Sequence, residues 1–297
     1  MLFACVVCVA CLHPPLINSI QNQLLHQKVD MAQTDITIRL GQQGQDLATM
    51  YPRAIKVNNK NANGAMVFYN IDWTRVAYQQ SLGNVHIDNG AYSFTVPFVL
   101  GLTGVAVPGD TPEEGIENFS LGVGMSEATV LHPEAQRQFY ALLKTIQKAG
   151  WKRQIRVAFP RISGRDALAY SQMVESSYPI DPDYMPTFQE WMWIRNYAHW
   201  NFYANGVYLD VSFQRGMEVD PDKPGAYLIS LEFETRNAWE RSHFQGNERL
   251  RWRELYPPTR QQLKTMRPIA EQKIRADGKY HIDESYRNPD DDRPEST

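Results

Sequence analysis

The sequence Gly124-Met-Ser126-Glu-Ala128 places a serine where it could act as a nucleophile. It approaches the G-x-S-x-G elbow, in which glycines permit the strained turn that exposes the serine to a substrate. Here the last glycine is replaced by alanine, and no helix is predicted to begin directly after Ser126. Histidines follow at positions 132, 199, 243 and 281, but no loop offers an obvious pair of histidine and acid. The pattern favours a serine in a loop after a strand, and a degenerate serine hydrolase using Ser126 stays open as an alternative.

Two pairs of aspartates could supply metal ligands, Asp181 with Asp183 and Asp220 with Asp222, each pair flanking a proline. A calcium loop needs more oxygen ligands at a defined spacing, with a glycine and a terminal glutamate, and neither loop has them. The seven histidines also lack metal-binding spacing, since no two stand at the i, i+4 positions of a zinc-binding helix. We therefore predict ordinary turns at both aspartate pairs, and no metal or other cofactor.

All three cysteines, Cys5, Cys8 and Cys11, lie in the apolar run Leu2–Leu12. Ala10 before Cys11 matches the end of a bacterial lipoprotein signal, in which the last cysteine is acylated and starts the mature protein. Cys8 stands where such signals usually have leucine, and no basic residue precedes the apolar run. A buried apolar strand and a short membrane anchor are the alternatives. We predict lipidation at Cys11, and hence a periplasmic protein tethered to the membrane by a lipid anchor.

The composition excludes one large class of partner. The chain has 297 residues, a net charge of −3 and a hydrophobic fraction of 43 %, which can supply a substantial core. Basic residues are scattered except around Arg249, Arg251 and Arg253, where they alternate with apolar and acidic residues as on a solvated helix face. A nucleic-acid-binding protein would concentrate its basic residues on one surface. We predict no nucleic-acid partner and no small-molecule substrate.

Local patterns predict the main elements of secondary structure. Pro133–Ala149 carries an apolar stripe at three- and four-residue spacing, which is typical of a helix that covers a sheet. His199–Tyr203 and Val207–Gln214 flank Asn-Gly, the preferred pair for a type I′ turn, and therefore predict a hairpin. Ala226–Thr235 predicts another strand, and proline and glycine should break or bulge the long apolar stretch Tyr92–Val107. The predicted fold class is α+β, with mostly antiparallel sheets covered by helices.

The order of these elements suggests two similar lobes, because strands followed by a covering helix occur twice. We assign residues 1–33 to the leader and tether, 34–160 to the first lobe and 161–287 to the second. Residues 288–297 are charged and contain proline, which predicts a disordered tail.

A basic helical region is predicted towards the C-terminus. Pro257-Pro258 is expected to separate a helix at Trp239–Leu255 from a second helix at Thr259–Ala276, since proline lacks the N–H group that a helix needs. Pro268 should kink or restart the second helix.

Two tryptophans are candidates for a protein interface. Trp191 and Trp193 lie two residues apart on a predicted short helix, Phe188–Ile194, so they cannot both face the same core. Exposed tryptophan is a frequent anchor at protein interfaces. We expect Trp191 or Trp193 to contact a partner.

Acidic loops accompany these tryptophans, at Asp110–Glu117, Pro179–Pro186 and Val219–Pro224. Negative charge on loops can steer the encounter with a basic protein surface. We therefore add the four aspartates of the second and third loops to the predicted partner-binding residues: Asp181, Asp183, Asp220 and Asp222.

The order of motifs from Ile116 to Tyr286 resembles that of a known group of proteins. The motifs in question are IENFSLGV at 116–123, the helix 133–149 with Gly150-Trp151, DPDYMPT at 181–187 with Glu190-Trp191, NFYANGVYLDV at 201–211, PGAY at 224–227, WRE at 252–254 and IDESY at 282–286. They are similar to those of uncharacterised proteobacterial envelope lipoproteins encoded near type VI secretion effector and spike genes, where immunity proteins are also encoded.

That resemblance implies a non-catalytic immunity protein, which binds a secreted antibacterial effector and occludes its active site. The expected effector is a lipase or another enzyme that attacks the envelope. The shared motifs concern the fold and not catalysis, so the resemblance transfers no active-site residues. A structural or accessory envelope lipoprotein without a toxin partner is a further alternative.

Overall fold

A large mixed sheet organises the part of the chain that the structure describes. The structure, a computed structural model, describes residues 33–58, 66–73, 82–174 and 178–291. Ten strands in these ranges form one sheet, and two short strands form a separate pair. Within the large sheet only β1 (Asp35–Ile38) and β4 (Gly83–Ile87) run parallel. The predicted α+β class with mostly antiparallel strands is confirmed.

The described elements follow in chain order. The remaining strands are β2 (Lys56–Asn58), β3 (Val67–Asp72), β5 (Phe94–Ala106), β6 (Ile116–Val123), β7 (Val130–Leu131), β8 (Lys152–Arg153), β9 (His199–Ala204), β10 (Val207–Arg215), β11 (Pro224–Gly225) and β12 (Tyr227–Thr235). The α-helices are α1 (Gly44–Met50), α2 (His132–Lys148), α3 (Gly164–Met173), α4 (Phe188–Trp193), α5 (Arg236–Arg241), α6 (Gly246–Arg249) and α7 (Trp252–Asp277). Two 3₁₀ turns lie at Gly90–Tyr92 and Pro112–Glu114.

Helix α2 covers one face of the sheet, as its apolar stripe predicts. Phe139, Leu143 and Ile146 are fully buried. The ring centroid of Phe139 lies 4.7 Å from that of Trp200 on β9. Burial of such side chains contributes about 1.5–3 kcal/mol each. The helix ends before Gly150, whose φ of 93° belongs to the left-handed region that glycine adopts without strain.

The hairpin of β9 and β10 forms as predicted from Asn205-Gly206. Both turn residues have positive φ, 48° for Asn205 and 78° for Gly206, which is the backbone of a type I′ turn. Strand β5 also follows its prediction, because it remains one strand and bulges. Its register with β6 shifts between Val99 and Gly101, close to Phe98, which has a φ of 59°.

The expected boundary near residue 160 does not separate two sheets. Strand β6 of the predicted first lobe pairs along its length with β12 of the predicted second lobe. The order of strands across the sheet is β1-β4-β5-β6-β12-β10-β9-β8. In addition, β3 pairs with β5, and β2 pairs with β3. All described residues belong to one compact unit.

The prediction of two helices separated by Pro257-Pro258 is wrong. Helix α7 runs without interruption from Trp252 to Asp277 and contains three prolines. Pro257 and Pro258 deprive only the carbonyls of Arg253 and Glu254 of their helical N–H partners, and both of these residues are exposed to solvent that can bind them. The buried side chains on the other face, among them Trp252 and Tyr256, hold the helix against the protein.

The prediction of a disordered tail is wrong for residues 288 to 291. Asn288 and Asp290 are buried. The Asp290 carboxylate accepts a hydrogen bond from the Tyr208 hydroxyl at 2.8 Å and pairs with the Arg260 guanidinium at 3.1 Å. Composition alone suggested disorder, whereas partners distant in sequence fix this segment. Residues 292–297 lie outside the described residues.

No helix within the described ranges is both long and apolar enough to cross a membrane. The predicted lipidation site, Cys11, and the rest of the predicted leader up to residue 32 lie outside the described residues.

Candidate functional site

A groove lies between α3, α4 and the segment that follows α7. Its cavity volume is about 730 Å³, within the ~300–1,000 Å³ typical of ligand sites. We call it the α3–α4 groove. Its lining includes aromatic and charged side chains from three segments of the chain: Arg165, Asp166, Glu190, Trp193, Lys279 and Tyr280.

A capping box fixes the start of α4 beside this groove. The Thr187 hydroxyl accepts a hydrogen bond from the Glu190 N–H at 3.2 Å, and the Glu190 carboxylate accepts one from the Thr187 N–H at 2.9 Å. Two backbone donors that a helix start leaves without partners are thereby satisfied. The reciprocal pair therefore defines the start of the short helix that carries both tryptophans.

The two tryptophans of α4 point in opposite directions, as predicted. Trp191 is 0 % exposed, and its ring centroid lies 4.6 Å from Phe213 and 5.7 Å from Phe139. Trp193 is 56 % exposed on the edge of the α3–α4 groove. The partner contact predicted for Trp191 is wrong, because a side chain enclosed on all sides cannot touch another protein. Of the two, Trp193 alone is accessible.

The Glu190 carboxylate is occupied by hydrogen bonds from within the protein. It accepts from Arg165 Nε at 2.7 Å and from the Tyr184 hydroxyl at 2.8 Å, besides the Thr187 N–H. Burial acts to raise the pKa of Glu190, but these hydrogen bonds outweigh it and lower the pKa to about 2. Glu190 is therefore charged at neutral pH and holds Arg165 and Tyr184 along the groove.

One of the two aspartates in the loop Pro179–Pro186 is buried and bonds to groups of the same chain. Asp181 is buried, pairs with Arg153 at 3.3 Å and accepts the Gly164 N–H at 2.7 Å. It therefore holds the start of α3, and its predicted role in partner binding is wrong. Asp183 is exposed and accepts a hydrogen bond from the Gln147 amide at 2.7 Å.

The loop Val219–Pro224 leads from β10 into β11, and its residues are not among those that line the α3–α4 groove. The Asp220 carboxylate pairs with Lys223 at 3.0 Å and accepts the Asp222 N–H at 3.1 Å. The bond from Lys223 is the main reason why the pKa of Asp220 is lowered. The structure therefore does not bring Asp220 and Asp222 together with Trp193.

The acidic loop Asp110–Glu117 faces arginines of the same chain. Arg241 is buried and pairs with Glu114 at 3.0 Å and with Glu117 at 2.5 Å. Arg253 reaches Glu114 at 2.9 Å. These bonds engage two of the four acids of the loop that was expected to attract a basic partner. The loop instead ties α5 and α7 to the sheet.

Ser126 lies in an exposed bend that follows β6 and precedes α2. Its hydroxyl accepts a hydrogen bond from the Gln138 amide at 2.8 Å, and its N–H donates to the same side chain at 3.0 Å. Helix α2 begins six residues later, at His132, so this bend is not a strand-to-helix elbow. An apolar cavity of about 210 Å³ adjoins Gln138.

The side chains of His132 and His199 have partners other than Ser126. His132 is buried, with Nδ1 at 2.6 Å from the Tyr227 hydroxyl. His199 Nδ1 pairs with the Asp210 carboxylate at 2.8 Å. His199 lies on β9, three strand spacings from β6, which corresponds to roughly 14 Å. Across the ranges that the structure describes, no group of three or more His, Cys, Asp or Glu is placed to hold a metal ion.

We expect the Ser126→Ala variant to hydrolyse short esters no more slowly than the wild-type protein. The Gln138 amide cannot take the serine proton, so the hydroxyl lacks the general base that activates a serine nucleophile. Hydrolysis of a chromogenic butyrate ester by both purified proteins measures this. Activity in the wild type that falls to the blank rate in Ser126→Ala would establish the hydrolase alternative.

The chain matches no protein-family model, and no curated protein or solved structure is found to be similar to it. The resemblance of residues 116–286 to envelope lipoproteins therefore stays a prediction, as do the functions that it implies.

Sequence reasoning found Trp193 but missed the rest of the α3–α4 groove. The T-x-x-E pattern at Thr187 and Glu190 is a capping-box signal that could have located the start of α4. No local signal indicates that Lys279 and Tyr280 lie beside α3. They are placed there by the chain reversal after α7, where the Asp166 carboxylate accepts the His281 N–H at 2.9 Å.

Proposed function

We propose that this protein is a non-catalytic immunity protein of the bacterial envelope, which binds a type VI secretion effector and blocks its activity. A lipase is the expected class of effector. The observation that carries the proposal is the exposed Trp193 beside a groove of about 730 Å³. Exposed tryptophan next to a concave surface is a common feature of protein-binding sites, since one such side chain can supply much of the binding energy.

Two further observations support this proposal. The motif order from Ile116 to Tyr286 resembles lipoproteins encoded beside effector genes, and the cysteine cluster ending at Cys11 resembles a lipoprotein signal. An inhibitor tethered in the periplasm would meet an effector where the effector acts. Incorporation of labelled palmitate by the wild type, compared with Cys11→Ser, tests the anchor separately.

The test is co-expression of this protein with the type VI secretion effector that the proposal expects to be encoded beside its gene. Survival of the bacterial cells and co-purification of a complex are the two readouts. If cells die equally with and without this protein and no complex elutes, the proposal is wrong. A structural or accessory lipoprotein would give that result, because it would have no effector to bind.

We expect Trp193→Ala to weaken binding of the effector about 30-fold or more, which corresponds to ~2 kcal/mol for a residue at the centre of an interface. The exposed side chain makes little contribution to the fold, so its removal should act on the complex. The dissociation constant can be measured by titration calorimetry. Leu250→Ala is a matched control, since Leu250 is 73 % exposed and is not among the groove residues. If both substitutions change the dissociation constant equally, Trp193 is not the anchor of the interface.

A further inference from the structure

Two cationic side chains of the α3–α4 groove, Arg165 and Lys279, are exposed to solvent, although the lining contains charges of both signs. Lys279 Nζ contacts the Met173 sulfur at 3.4 Å and lies 5.3 Å from the centre of the Tyr280 ring. Across the described ranges no carboxylate lies within ion-pair distance of Lys279. The side chain of Arg165 is 76 % exposed even though its Nε donates to Glu190.

The carboxylates of the groove are engaged by the protein itself. Glu190 accepts hydrogen bonds from Thr187, Tyr184 and Arg165. Asp166 Oδ2 accepts the His281 N–H at 2.9 Å. Both oxygens of Glu190 already have donors, so Glu190 is a poor acceptor for a further cation, whereas the Lys279 ammonium has donors to spare. Lys279 and the exposed Arg165 are therefore the cationic groups that the groove offers to a partner.

Apolar surface lies beside these cations. Trp193 and Met173 are each about half exposed, and Tyr280 joins them, with its hydroxyl 3.5 Å from the Met173 sulfur. Tryptophan, tyrosine, methionine and arginine are the residues enriched at protein interfaces. Exposed cationic side chains and apolar contact surface thus lie side by side at the groove.

We propose that the α3–α4 groove binds a segment of the effector in which a carboxylate side chain neighbours an apolar or aromatic one. The carboxylate meets Lys279 and Arg165, and the apolar side chain packs on Trp193. This inference rests on the proposed function, because it names the part of the effector that the groove recognises. It reverses the expectation from the sequence, in which acidic loops attract a basic partner.

Charge reversal at Lys279 tests the proposal. We expect Lys279→Glu to slow association with the effector at least tenfold at low salt and to reduce the dependence of the association rate on salt, since charges at the rim of an interface act mainly on association. The matched control is Lys273→Glu, an exposed lysine on α7 that is not among the groove residues. It should change the rate by less than about twofold. Equal thermal unfolding midpoints for wild type and variants confirm that the fold is intact.

A charge swap provides the second measurement. Each surface aspartate and glutamate of the effector is changed to lysine, and the variants are tested against Lys279→Glu. Restored binding by at least one of them supports the proposal and identifies the acidic residue.

The outcomes separate the inference from the proposed function. Suppose that Trp193→Ala weakens the complex while Lys279→Glu binds the effector as fast as wild type or faster. The proposal that the groove recognises an acidic segment is then wrong, and the proposed immunity function stands. If no complex forms with the wild-type protein, both are wrong.

Discussion

Replacing Trp191 with alanine is expected to lower the free energy of unfolding by about 3–5 kcal/mol, as for other buried tryptophans. Its indole is enclosed by the rings of Phe139, Phe213 and Tyr227, with centroid distances of 5.7, 4.6 and 6.0 Å. Alanine would leave a cavity at the junction of α2, α4 and the sheet. Urea denaturation followed by circular dichroism measures the loss.

Trp193→Ala provides the comparison for this experiment, because it removes the same side chain two residues away. It should change the free energy of unfolding by less than about 1 kcal/mol, since an exposed side chain gains little from folding. Each tryptophan thus has its own readout, stability for Trp191 and effector binding for Trp193. Similar losses of stability in both variants would contradict the orientation of α4.

Asp290→Ala is expected to destabilise the protein by about 3 kcal/mol, because it leaves a buried arginine without its buried partner. The Asp290 side chain is 0 % exposed and bonds both Arg260 and the Tyr208 hydroxyl. Arg260 retains Asp291 at 3.0 Å, which keeps the loss at the lower end for broken buried pairs. Urea denaturation again gives the value.

The neighbouring residue supplies the control for Asp290. Asp291 is 40 % exposed and pairs with Arg260 and Lys264. Asp291→Ala should cost no more than about 1 kcal/mol, since exposed ion pairs contribute little. If Asp290→Ala costs no more than Asp291→Ala, the C-terminal segment is not fixed as the structure describes.

The elements that the sequence predicts correctly have their causes within a few residues. The stripe of α2 and the stop at Gly150 are local, as is the Asn205-Gly206 turn. The opposite directions of Trp191 and Trp193 follow from helical geometry alone. Each of these features can be predicted because no distant residue decides it.

The features that were missed depend on partners far along the chain. Pro257 and Pro258 predict a break, whereas the helix is continuous and packs the buried side chains of Trp252 and Tyr256 on the rest of the protein. The polar tail around Asp290 is ordered because the Asp290 carboxylate bonds to Tyr208 and Arg260, which lie far away in the sequence. Composition cannot indicate such contacts. The same limit applies to the α3–α4 groove, which joins residues of α3 and α4 to Lys279 and Tyr280.

The pairing of β6 with β12 has a consequence for how the chain acquires its structure. Strand β6 ends at Val123 and its partner begins at Tyr227, so the centre of the sheet closes only after most of the polypeptide has been synthesised. Contacts between such distant segments slow folding. Until β12 arrives, one edge of β6 exposes free N–H and C=O groups that can pair with another copy of the chain. The nascent protein is therefore most vulnerable to aggregation during the interval between the synthesis of β6 and that of β12.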